Sequence, residues 1–144
     1  MIEHDTIRLL RECDAGIKMG ISSIDDVLKY TGDEKLRTRL KKSIDEHEKI
    51  KTELQVLLEE YHDDGKEPNV MAKGMSWIKT SVKLAIDESD KVIADLITDG
   101  CDMGVKSLSK YLNQYEGADE KSKDLAKKLI KIEEDLGDDI REYL

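Results

Sequence analysis

Four polar side chains interrupt apolar helical faces in this 144-residue sequence, and such interruptions are where a helical protein builds chemistry. Asp14 lies among Leu10, Ile17 and Ile21, and His47 lies between Leu40 and Leu54. Asp90 flanks Ile86, Ile93 and Ile97, and Glu133 lies among Leu129, Leu136 and Ile140. Three carboxylates and an imidazole suit iron or manganese, because hard divalent ions take oxygen ligands supplemented by a neutral ring nitrogen. A carboxylate-bridged two-metal centre asks for more: one Glu from each of two helices and a Glu-x-x-His pair from each of the other two. Here the residue three before His47 is Ile44, and the residue three after Glu133 is Leu136. Half of that ligand set is missing. The four residues therefore read first as a polar network that fixes helix register, and second as an atypical Asp/His/Glu metal site.

Other reactive side chains add little. His4 and His62 fall at segment ends, where solvated surface histidines are common. Cys13 and Cys101 form no Cys-x-x-Cys pair, so neither a disulfide framework nor a zinc knuckle is indicated, and both read as small core residues. The acidic runs Asp63-Asp64, Glu133-Glu134-Asp135 and Asp138-Asp139 lack the alternating spacing of a calcium loop. No glycine-rich phosphate cradle or nucleophile elbow is present.

The elements that must position these residues are helices. Charged residues make up 40% of the chain against 38% apolar, with one proline and no phenylalanine, a profile of amphipathic helices in an all-α protein. The net charge of -9 and pI near 4.9 oppose binding to a phosphate backbone, so nucleic acid is not an expected partner. Residues 1 to 20 carry seven charged side chains and no apolar run, which predicts neither a signal peptide nor a membrane span and places the protein in the cytoplasm.

Periodicity places four helices at about 5–30, 34–61, 76–114 and 119–143 within a single domain. Thr31-Gly32-Asp33 predicts a tight hairpin, with Gly32 left-handed after one helix and Asp33 capping the next. Glu116-Gly117-Ala118 predicts a second hairpin, with Asp119 as cap. Between them, the stretch from His62 to Asn69 is the main connection. The pattern from Val70 to Tyr115 would make a helix of roughly 70 Å against about 40 Å for its neighbours, so a break is expected at Gly74 or at Gly100/Gly104. Residues 69–75 are counted with the connection, which starts the third helix at 76. Trp77 is expected to plug one end of the core, and Met71, Met75 and Trp77 are a possible partner surface.

Three stretches carry a family resemblance: Cys13-Asp14-Ala15-Gly16-Ile17-Lys18-Met19-Gly20, Glu46-His47-Glu48, and Gly74-Met75-Ser76-Trp77. With them the chain resembles the bacterial ferritin-like, rubrerythrin-related four-helix-bundle families of unassigned function. The resemblance implies an antiparallel bundle of two helical hairpins joined by a longer connection. Where metal-binding relatives have helix 1 and helix 3 glutamates, this sequence offers Asp14 and no counterpart near Gly100 to Gly104. The expectation is thus a bundle with a degenerate two-metal site and no resident cofactor, acting by binding an unidentified protein or itself rather than by catalysis. The alternative is an iron- or manganese-binding protein, an oxidoreductase or metal handler, using Asp14, His47, Asp90 and Glu133.

Overall fold

A computed structural model describes residues 2–68 and 89–144. These residues form four α-helices, α1 (Ile2–Leu28), α2 (Glu34–Glu60), α3 (Ser89–Gln114) and α4 (Glu120–Ile140), then a short 3-10 turn at Arg141–Tyr143. No strand occurs among them. No helix among them is long and apolar enough to cross a membrane. α1 packs on α2, α3 on α4, and α4 also contacts α1 and α2, with α1 touching α3. The expected break at Gly100/Gly104 is not seen: α3 runs through both glycines. Gly74 and the Met71, Met75 and Trp77 cluster lie outside the described residues, as does the expected first part of the third helix.

The inward faces follow the apolar spacing. Leu36, Leu40, Ser43, His47, Ile50, Leu54 and Leu58 are the buried residues of α2, with Leu58 rather than Leu57 completing the stripe. Both cysteines are buried and unpaired. The core divides into two clusters. One gathers Leu10, Cys13, Ile17, Leu54, Leu108 and Leu129, and the other Ile24, Val27, Leu40, Ile97, Leu136 and Ile140. The helices cross from one cluster to the other at Gly20, His47, Gly104 and Glu133.

Side chains from distant helices fasten the helix ends. Asp33 caps α2 by accepting from the Leu36 N–H at 2.9 Å, and Asp119 caps α4 by accepting from the Ser122 N–H at 2.8 Å. Gly32 does not take the expected left-handed conformation. Instead its N–H donates to Asp90 Oδ1 at 2.7 Å, and the Asp33 N–H donates to Asp90 Oδ2 at 2.9 Å. At the opposite hairpin, the Gly117 N–H donates to Asp5 Oδ2 at 2.9 Å and the Asp119 N–H to Thr6 Oγ1 at 2.8 Å. Residues from α1 and α3 thus satisfy loop amides that would otherwise lack partners.

A left-handed residue does follow the end of α2, where His62 has φ of 53°. The His62 and Asp63 N–H groups donate back to the Glu59 and Leu58 carbonyls, each at 3.0 Å, which closes a Schellman motif. A β-carbon in this conformation costs about 1–2 kcal/mol, part of which glycine returns as greater freedom of the unfolded chain. His62→Gly is therefore expected to stabilise the protein by about 0.5–1 kcal/mol in urea unfolding. An unchanged or lowered midpoint would count against a strained end.

Candidate functional site

The layer between the two apolar clusters holds a buried ion pair. His47 is wholly buried, and its Nε2 lies 2.6 Å from Glu133 Oε1, joining α2 to α4. On the other side of the ring, Nδ1 lies 2.7 Å from the Ser43 carbonyl oxygen one turn back, with the Ser43 hydroxyl at 3.4 Å. A carbonyl oxygen can only accept, so Nδ1 carries a proton and donates to Ser43. The short Nε2 to Oε1 contact then requires a second proton on that line, making a charge-assisted bond between imidazolium and carboxylate.

A glycine makes room for the imidazole. A β-carbon on Gly20 of α1 would stand 2.8 Å from His47 Nε2, and one on Gly104 of α3 would stand 3.5 Å from Glu133 Oε2. A glycine inside a helix costs about 1 kcal/mol relative to alanine, so α1 gives up propensity where the imidazole needs space, while the contact at Gly104 is an ordinary one. Burial, reinforced by the Glu133 charge, raises the Cys101 pKa strongly. Cys13 is pushed up to about 12 by burial and by Glu12 and Asp14. Both thiols stay protonated and are poor nucleophiles.

Burial alone would lower the His47 pKa, but the Glu133 hydrogen bond and charge, the Ser43 carbonyl and the Glu46 charge outweigh it, and the net shift is upward from 6.5. A folded pKa above the unfolded one means that protonated His47 adds stability. That contribution is complete below 6.5 and disappears as pH rises through the folded value. Unfolding free energy, compared between wild type and His47→Gln from about pH 5.5 to about pH 9, is expected to show a wild-type advantage that shrinks with rising pH. An advantage that grew instead would contradict the pairing.

The pair is not sealed. Glu133 lines a surface groove of about 280 Å³ between α3 and α4, together with Asp102, Val105, Glu134, Asp138 and Arg141. Protons and water can reach the carboxylate from this side, so the pair can take up and release a proton without the helices separating.

The other two sequence candidates lie elsewhere. Asp14 is buried under the connection after α2, where its Oδ2 accepts from the Lys66 N–H at 2.9 Å and pairs with Lys18 Nζ at 2.8 Å. Asp90 sits in the first turn of α3 as the clamp on Gly32 and Asp33. Only His47 and Glu133 come together, and Gly20, Ser43, Cys101 and Gly104 complete their surroundings. Gly20 and Gly104 were visible in the sequence as mid-helix glycines on inward faces, which marks close approach without saying to what.

This donor set does not fit a two-metal centre. Both ring nitrogens of His47 are engaged by protein acceptors, Ile44 and Leu136 occupy the positions of the absent ligands, and Asp14 and Asp90 are committed to amides and a lysine. Among the described residues no group of three or more His, Cys, Asp or Glu side chains is placed to hold a metal ion. No family model matches the chain, and neither a curated protein nor a solved structure shows significant similarity to it.

Proposed function

We propose that this protein is an antiparallel, ferritin-like four-helix bundle that works by binding or assembly rather than by turnover, its polar layer serving as a structural remnant of a two-metal site. The observation that carries this reading is the closure of His47 on both sides, by Ser43 and by Glu133. With Nδ1 donating to the Ser43 carbonyl and Nε2 held by Glu133, a metal would have to displace one of these contacts together with its proton. The two buried free thiols suit a reducing compartment, in keeping with a cytoplasmic location.

The test is purification without chelator and reconstitution with ferrous or manganous ion, followed by metal analysis by mass spectrometry on wild type and His47→Ala. The expected result is no stoichiometric metal in either protein. Stoichiometric iron or manganese in wild type that is lost in His47→Ala would overturn the reading in favour of a metal-binding protein with an Asp/His/Glu site.

A further inference from the structure

The outer face of α4 carries a regular series of charges: Asp124, Lys127, Lys131, Glu134, Asp138 and Arg141, all exposed. Their separations alternate between three and four residues, which keeps them in one stripe along a helix. Arg141 belongs to it because its backbone is still helical, with φ −58° and ψ −32°. Read in the reverse direction, every sign inverts: Asp124 matches Arg141, Lys127 matches Asp138, and Lys131 matches Glu134.

Within one copy the stripe is only partly self-satisfied: opposite charges stand three residues apart at Asp124/Lys127, Lys131/Glu134 and Asp138/Arg141. Lys127 with Lys131, and Glu134 with Asp138, are like-charged neighbours four residues apart. Relief inside the helix is limited to solvent-exposed pairs, Lys131 with Asp135 at 2.9 Å and Asp138 with Arg141 at 3.5 Å. A second α4 laid antiparallel on the first, about a two-fold axis between Ile132 and Glu133, sets every charge of the stripe against its opposite. Beside the acidic half lies the groove lined by Asp102, Glu134 and Asp138 together with Lys106 and Arg141.

We infer that α4 is the contact face of a homodimer in which two copies pair antiparallel along this charge stripe. The inference rests on the assembly reading above and names its partner as a second copy of this chain. Exposed ion pairs are individually weak and screened by salt, so the dimer is weak and salt-sensitive.

Sedimentation of wild type in about 0.02 M and about 0.5 M salt is expected to show association at least about tenfold weaker in the higher salt. Lys127→Glu with Lys131→Glu, and separately Glu134→Lys with Asp138→Lys, should each give a folded monomer by circular dichroism and sedimentation. Mixed in equal amounts, the two double variants regain full complementarity and should form a heterodimer. Wild type that stays monomeric up to about 1 mM in low salt, with no heterodimer in the mixture, overturns the inference. A wild-type dimer that survives unchanged in both variants also overturns the α4 face, while leaving the assembly reading intact. Metal analysis tests that reading separately.

Discussion

Removing the Glu133 carboxylate is expected to cost the fold about 3–5 kcal/mol, the largest loss available from a single side chain in the polar layer. Glu133→Ala leaves His47 wholly buried with its Nε2 facing a void instead of an acceptor at 2.6 Å. Water entering from the groove between α3 and α4 can offset part of this, because Glu133 already lines that groove. Glu133→Gln keeps the shape and one hydrogen bond, and should cost less, about 1–3 kcal/mol. The decisive comparison is the double variant His47→Leu with Glu133→Met, which replaces the pair by apolar groups. It should be closer to wild type than Glu133→Ala, since burying a charge pair gains little over good apolar packing whereas orphaning one member costs much. Urea unfolding of the four proteins supplies the numbers. A Glu133→Ala loss below about 1 kcal/mol would mean that His47 does not depend on this partner.

The sequence makes the helices legible because their apolar spacing is enforced by burial along the whole length of each, and the caps at Asp33 and Asp119 follow from local chemistry alone. The pairing of His47 with Glu133 is of another kind. These residues are 86 positions apart on non-consecutive helices, and periodicity fixes which face a residue occupies but not its height against a distant helix. The heights are set by packing in three dimensions, including the space that Gly20 leaves beside His47. Asp90 illustrates the reverse case. It resembles a core interruption in the sequence, flanked by Ile86, Ile93 and Ile97, yet its carboxylate accepts from the Gly32 and Asp33 N–H groups of the loop after α1. Asp14 resembles a core carboxylate and is buried, but what buries it is the returning connection, whose path no helical pattern encodes.

That connection provides the second large effect. Gly65→Ala is expected to destabilise the protein by about 3 kcal/mol, combining a left-handed backbone with a collision. Gly65 has φ of 85°, and a β-carbon there would overlap Asp14 Oδ2 and stand 2.9 Å from its Cγ and 3.3 Å from Leu58 Cδ1. Asp14 cannot yield freely, because its Oδ2 holds the Lys66 N–H at 2.9 Å and Lys18 Nζ at 2.8 Å. Around this point the connection is tied to α1 by Arg11 to Asp63, Lys66 to Glu12 and Lys18 to Glu67. The β-carbon must therefore either displace a buried carboxylate or lift residues 63–67 off α1. A double-mutant cycle separates these outcomes. If the collision with the carboxylate dominates, Gly65→Ala should cost about 1–2 kcal/mol less in an Asp14→Ala background, leaving mainly the backbone term. If lifting dominates, limited proteolysis should cut the Gly65→Ala protein between Asp63 and Glu67 much faster than wild type. A Gly65→Ala protein as stable and as resistant as wild type would show that Asp14 does not hold the connection against α1.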